Sequence, residues 1–515
     1  MLSTALSLGL IGLDAHLVQV EVEVGRGPSC FHLVGLADAS VREARVRIRS
    51  ALNLHKIDIN EQVLTVSLSP ADVRKGGSAF DLAMAVAILA ALGKVPHEPL
   101  ERTVWLGELA LSGELRAVRG VLPALASAKR LGFARAIIPA GNGAEGAVVA
   151  GLDVRVARTL GDVLQHLTGK APLPEATRTQ VAAPRFALEH DLADVRGQPA
   201  ARRALEIAAA GGHNMLMMGP PGAGKTMLAR RLPSILPPLT SEEALETSAI
   251  HSVAGTLASS VGLMSERPFR APHHTATAAA LAGGGLPIRP GEIALAHNGC
   301  LFLDELLEFG RAAIEALRQP LEDGIVTICR ARERAVFPAR TLMIAAVNPC
   351  PCGYAGSSRC ICKADRIAAY RARLSGPLLD RIDIQMSLPP TRVVDLMGDG
   401  SGETSKVVRA RVLAAREIQA QRALRAETAS VINAALTTRE IQKVIKLDAH
   451  SDALLRSAVE RLGMSARGHA KALRLARTIA DLERSASVKA PHIAEALQLR
   501  ALDRAPRVIE AVRAS

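Results

Sequence analysis

Eight residues, Gly219-Pro220-Pro221-Gly222-Ala223-Gly224-Lys225-Thr226, constrain this chain more than any other stretch. They fit the pattern G-x-x-x-x-G-K-[ST]. The apolar run Asn214-Met215-Leu216-Met217-Met218 precedes them and predicts a strand, and Met227-Leu228-Ala229-Arg230-Arg231-Leu232 follows and predicts a helix. Strand, loop and helix in that order form the context in which this pattern cradles phosphate. Gly219, Gly222, Ala223 and Gly224 leave the backbone room to turn several N–H groups toward one point, and the helix N-terminus adds partial positive charge there. Lys225 is expected on the β- and γ-phosphates of ATP, and Thr226 on Mg²⁺.

A second acidic half should lie further on. Gly299-Cys300-Leu301-Phe302-Leu303 is an apolar strand ending in Asp304 and Glu305. A fully buried strand in an open α/β sheet delivers such residues to the edge where ligands bind. Asp304 is expected to hold Mg²⁺ and Glu305 to activate the attacking water. Thr341 to Val347 is another apolar strand, ending in Asn348, a polar group placed to orient that water.

At 515 residues the chain has room for two to four domains. Aromatics are only 2%, so the cores must be aliphatic. Seven cysteines, an odd number in a large chain, argue for a reducing cytoplasm rather than a disulfide scaffold. No apolar run reaches the ~20 residues of a membrane span, and Met1 to Ala5 lacks the basic start of a signal peptide. The formal net charge is +13, with an excess of +1 over 1–167, +5 over 168–393 and +7 over 394–515. Basic surface in the second and third regions makes nucleic acid a candidate partner.

Region 1–167 reads as an α+β domain. Val18, Val20, Val22 and Val24 alternate as in a half-buried strand, and Val63 to Leu68 is another. Ala79 to Leu92 and Val121 to Leu131 predict helices. Residues 168–190, with Pro172, Pro174 and Pro184, predict a linker. Two stretches, Gly76-Gly77-Ser78-Ala79 and Gly107 to Leu115 followed by Gly120, resemble the proteolytic domain of Lon-type proteases and its inactive relatives. That resemblance places Ser78 where the nucleophile sits. The activating lysine should follow Gly120, but Val121-Leu122-Pro123 stand there, and the nearest lysine downstream is Lys129. A serine without a base is a poor nucleophile. The domain is therefore expected to be a non-proteolytic binding module, with Ser78 as a helix N-cap.

Residues 191–393 resemble an AAA+ ATPase core of the magnesium-chelatase type, and 394–515 its helical lid. Asp194-Val195-Arg196-Gly197-Gln198 resembles the segment that contacts adenine in AAA+ ATPases. Leu378-Leu379-Asp380-Arg381-Ile382-Asp383 resembles the segment carrying a trans-acting arginine in the magnesium-chelatase and MCM branch. This implies that Arg381 reaches the ATP of a neighbouring subunit in a ring. Arg467, Lys471 and Arg474 recur at helical spacing in what resembles the lid helix that touches nucleotide, which implies that role for Arg474, with Arg467 second. Arg267 to Gly285 and Gly291 to His297 match a signature shared by magnesium-chelatase ATPase subunits and the bacterial ComM/YifB proteins. Adjacent histidines on a strand point to opposite faces, so His273 and His274 are expected to chelate poorly. With the Lon-like first region, the resemblance to the ComM/YifB family spans nearly the whole chain.

Two further stretches carry candidate chemistry. Cys350, Cys352, Cys360 and Cys362 form C-x-C-x₇-C-x-C, four thiolates that can close a tetrahedral zinc site. Ile325 to Cys329 and Ala335 to Phe337 predict a hairpin with a basic tip. It resembles the channel hairpin of the chelatase and MCM branch, and Arg330 and Arg332 on it suit DNA phosphates rather than base stacking.

The expected fold is thus α/β and multidomain: a Lon-protease-like α+β domain, an AAA+ P-loop core and a C-terminal helical lid. The ComM/YifB resemblance implies an ATP-driven ring motor, expected to be a hexamer, acting on single-stranded or branched DNA as a branch-migration helicase during natural transformation. The rival readings are a magnesium-chelatase-like motor subunit remodelling a protein or porphyrin-metallating partner and an ATP-dependent protease. The first 167 residues argue against the former, because that subunit lacks such a domain. The missing lysine argues against the latter.

Overall fold

The structure, a computed structural model, describes residues 1–36, 38–71, 75–177, 190–330, 333–390, 402–425 and 427–500. The valine alternation emerges as the strand Asp14–Arg26, in which Val18, Val20 and Val22 are fully buried. It belongs to a seven-stranded sheet in the order Cys30–Val34, Gln62–Ser69, Asp14–Arg26, Leu2–Ile11, Thr103–Trp105, Arg135–Pro139, Asp153–Ala157. Asp14–Arg26 pairs antiparallel with both its neighbours, and the remaining ladders are parallel. The helix Asp81–Ala91 is buried at every position, as a helix apolar on all faces must be. Its one charge, Asp81, accepts from Arg47 Nε at 2.7 Å and from the Leu109 N–H at 3.1 Å. Burial pushes this carboxyl up to about 6, against the pull of Arg47.

Ser78 does not cap that helix. The cap position is Phe80, with no side-chain cap bond, and the Ser78 hydroxyl donates to the Glu108 carboxylate instead. A charged acceptor within reach makes the stronger bond. The prolines of the expected linker also mislead in part. Over 171–177 the chain lies along Asp153–Ala157: Val156 donates to the Pro174 carbonyl at 3.0 Å, Ala176 to Val154 at 2.9 Å, and Leu173 is buried. Residues 178–189 lie outside the described residues.

The second sheet has five parallel strands in the order Phe269–Arg270, Cys300–Leu303, Leu342–Val347, Met215–Met218, Ile384–Ser387. Cys300–Leu303 and Leu342–Val347 are buried at every residue, the continuous apolar run that a parallel strand covered on both faces requires. Helices Pro199–Gly211 and Lys225–Ile235 pack in one core with the C-terminal helices Ser405–Leu424, Ala466–Leu482 and Ala490–Gln498. Arg416 and Gln419 of helix Ser405–Leu424 donate to the carbonyls of Ala209 and Ala210 at 2.8 and 3.0 Å, satisfying acceptors that the end of a helix leaves open. The two sheets meet where helix Val121–Arg130 approaches helix Ser241–Ala254. There Gly120 N–H donates to Ser252 O at 3.1 Å, and Glu145 accepts from the Ser252 hydroxyl and from the Leu122 N–H. Val121 and Leu122, which stand where a Lon-type lysine is expected, are buried beside this junction. Among the described residues no helix is long and apolar enough to cross a membrane.

Candidate active site

Parallel pairing in register decides what gathers at one sheet edge. Met218 lies opposite Val347, and Leu303 opposite Ala345. The residues that follow these strands, Gly219, Asn348 and Asp304, therefore leave the sheet on the same side. Phe269–Arg270 runs parallel to Cys300–Leu303, so the loop after it, with His273 and His274, emerges there too.

The phosphate loop turns through Gly222 and Gly224 at φ +79° and +84°, a region that side chains with a Cβ rarely adopt. No atom stands within 4 Å of a Cβ built at either, so backbone conformation alone demands glycine here. Ala223 between them is buried. The Lys225 ammonium donates to the carbonyls of Gly219 and Pro220 at 2.6 and 3.0 Å and to Asn348 Oδ1 at 3.1 Å. Burial lowers its pKa, while Asp304 and Glu305 raise it. The Thr226 hydroxyl donates to Asp304 Oδ2 at 2.7 Å. Glu305 sits at φ +51°, a left-handed conformation that costs a residue with a Cβ about 1–3 kcal/mol. Its backbone N–H donates to Asp304 Oδ1 at 3.0 Å, which ties the two carboxylates to one turn.

His274 is the site residue that motif reading missed. Its Nδ1 lies 3.2 Å from Glu305 Oε2. The two histidines are not on a strand, so alternation does not separate them. They lie in a loop with their rings 4.1 Å apart, His273 pairing with Thr275 and His274 with Glu305.

Lys225, Thr226, Asp304, Asn348, Glu305 and His274 thus form one neighbourhood. The donor set fits a magnesium nucleotide: a loop of turned N–H groups, an ammonium already directed at oxygen acceptors, and a hydroxyl beside a carboxylate. Arg381 and Arg474 bond to other groups. Arg381 donates to the Pro377 carbonyl at 2.7 Å and pairs with Glu322, which also takes Arg467 at 3.6 Å. Arg474 donates to the Leu436 carbonyl at 2.8 Å. Lys471, between them on the helix, is buried against Asp383 at 2.9 Å. Burial raises the Asp383 carboxyl, but Lys471 and His213 outweigh it and hold the group well below the usual range. Gln198 of the adenine-type segment donates to the Pro389 carbonyl at 2.8 Å.

The hairpin forms from Ile325–Arg330 and Glu333–Pro338, with Arg330 opposite Glu333. Arg334, expected in the tip, lies in the returning strand opposite Cys329. Arg330 is exposed, and Arg332 lies outside the described residues. The four cysteine sulfurs converge, all within 4.8 Å of one another.

Comparison with known proteins covers most of the chain. Residues 191–396 match the model of magnesium chelatase, subunit ChlI, residues 402–500 that of its C-terminal part, and residues 20–142 that of subunit ChlI of Mg-chelatase. The last match removes the first 167 residues as an argument against a chelatase-type motor. Competence protein ComM of Haemophilus influenzae is 43% identical over 507 residues, covering 98% of each chain. YifB of Salmonella typhimurium is 42% identical over 497 residues, 96% of each. An archaeal Lon protease of Methanocaldococcus jannaschii is 26% identical over 149 residues, 29% of this chain and 22% of that protein.

Proposed function

The chain belongs to the ComM/YifB family of magnesium-chelatase-type AAA+ proteins, and from that premise we propose that it is an ATP-hydrolysing ring motor acting on DNA, a branch-migration helicase in recombination during natural transformation. The observation that carries the ATPase part is the bonded set Lys225, Thr226, Asp304, Asn348 and Glu305 at one sheet edge. Turned N–H groups of the loop and the Lys225 ammonium bind the phosphates. Thr226 and Asp304 would hold Mg²⁺, which when bound neutralises phosphate charge. Glu305 takes the proton of the attacking water, Asn348 orients that water, and His274 fixes the Glu305 carboxylate. Arg381 stabilises developing charge on the ATP of the neighbouring subunit, and Arg474 follows nucleotide from the lid. Cys350, Cys352, Cys360 and Cys362 would hold zinc as a further cofactor. The first region serves as a non-proteolytic binding module, consistent with Val121 and Leu122 in place of a lysine.

The DNA part rests on the likeness to competence protein ComM and on the charge excess over 168–515. ATP turnover measured with no DNA and with single-stranded, duplex and branched DNA tests it. Stimulation by DNA, strongest for single-stranded or branched forms, is expected. Turnover indifferent to all of them would leave the chelatase-like motor as the better reading.

Arg330 ends the first strand of the hairpin, and in a ring we expect it, with Arg332 of the sequence, to present positive charge to a central channel. The Arg330→Ala, Arg332→Ala double variant should bind DNA more weakly regardless of sequence. Its salt dependence should be flatter, by about one unit of slope for each phosphate left without its arginine. Basal ATP turnover should persist. An unchanged slope in an intact ring would remove these arginines from the DNA path.

A further inference from the structure

The cysteine quartet occupies a loop that hydrophobic packing does little to hold. Between Cys360 and Cys362 stands Ile361, 88% exposed. A loop of this kind needs a crosslink to keep one shape. The sulfurs supply the geometry for one. Cys350 lies 3.3 Å from Cys352 and 3.8 Å from Cys360, and Cys352 lies 3.7 Å from Cys360. Thiolates at the corners of a tetrahedron around zinc, each at the usual Zn–S length, stand about 3.8 Å apart. The donors are four sulfurs, the set that favours zinc over harder cations.

What this loop touches gives the metal a further consequence. Cys350 follows Asn348 by two residues, so the first ligand anchors the end of the strand that delivers Asn348 to Lys225. Arg371 steadies the same turn by donating to the Pro349 carbonyl at 3.1 Å. Gly353, inside the quartet, presses on the phosphate loop: a Cβ there would stand 2.6 Å from Pro221 Cδ, and its φ of +84° independently favours glycine. One short segment therefore joins the four sulfurs to both Asn348 and Pro221.

We infer that metal bound by Cys350, Cys352, Cys360 and Cys362 braces the phosphate loop through Gly353 and Pro221, so that zinc loading and nucleotide binding are thermodynamically linked. This rests on the zinc reading of the quartet. Linkage is reciprocal. Loss of zinc weakens nucleotide, and bound nucleotide slows the loss of zinc.

The experiment uses the full chain purified under reducing conditions. Elemental analysis should find one zinc per chain, and a chain devoid of zinc would overturn the zinc reading itself. Chelator-stripped protein, checked for retained helicity, should bind a fluorescent ATP analogue about 5- to 150-fold more weakly and recover when zinc is restored. Zinc release to a colorimetric chelator should slow when a non-hydrolysable ATP analogue is present. Gly353→Ala leaves all four ligands in place, so it should keep its zinc and still lose nucleotide affinity. One zinc per chain combined with unchanged affinity in both the stripped protein and Gly353→Ala would overturn the brace and leave the zinc site standing.

Discussion

A Glu305→Gln variant is expected to bind ATP as the parent does and to hydrolyse it about 10²- to 10⁴-fold more slowly. The amide keeps the size of the carboxylate and the left-handed turn at φ +51°, but it cannot take a proton from water. The phosphate-binding groups, Lys225 and the turned loop, are untouched by the change, so affinity should persist. Lys225→Ala is the contrasting case. It removes the ammonium directed into the loop, and nucleotide affinity should fall before any chemistry is reached. His274→Ala lies between them: it frees the Glu305 carboxylate from its 3.2 Å partner and should lower turnover with affinity intact. Single-turnover hydrolysis, paired with equilibrium nucleotide binding, separates the three. Wild-type turnover by Glu305→Gln would show that the base is another group.

The second large effect is expected at Arg381, where loss of an arginine that reaches transferring phosphate costs about 10³- to 10⁵-fold in rate. Within one chain this guanidinium is engaged by Glu322 and the Pro377 carbonyl. An arginine so engaged is expected to serve hydrolysis across a subunit boundary. Arg381→Ala alone and Lys225→Ala alone should both be nearly inactive. Mixed together they should regain measurable turnover, because one kind of interface then holds an intact Arg381 facing an intact phosphate loop. Normal turnover by unmixed Arg381→Ala would remove this role. A mixture no more active than its parts would place the arginine's action within its own chain.

The parts of the molecule that were legible in the sequence are those set by local rules. Glycines at positive φ, a strand buried on both faces and a helix start are written in adjacent residues, so the positions of Lys225, Thr226, Asp304 and Asn348 at one edge follow once the strands pair in parallel. Contacts made across the chain were not legible. His274 meets Glu305 only because two neighbouring strands end together, which no spacing in the sequence announces. Ser78 has the composition of a cap, but Glu108, thirty residues on, offers a better acceptor. Pro172 and Pro174 suggested a free linker, yet proline carbonyls still accept, and Pro174 completes a backbone bond with Val156. The C-x-C spacing disclosed four clustered cysteines without disclosing that Gly353 lies beside Pro221.

Helix Ser241–Ala254 joins two places that the chain order keeps apart. Near its start, Glu243 pairs with Arg267 at 2.7 Å, Glu246 reaches His297 at 3.1 Å, and the Asn298 amide donates to the Thr247 hydroxyl at 3.3 Å, all just ahead of the strand that carries Asp304 and Glu305. Near its end, Ser252 is locked to Gly120 and Glu145 of the first sheet. A rod held at both ends transmits displacement without absorbing it. Any shift of the acidic strand would therefore be passed to the N-terminal region through this helix, alongside the packing of Ile11 and Leu13 on the second core.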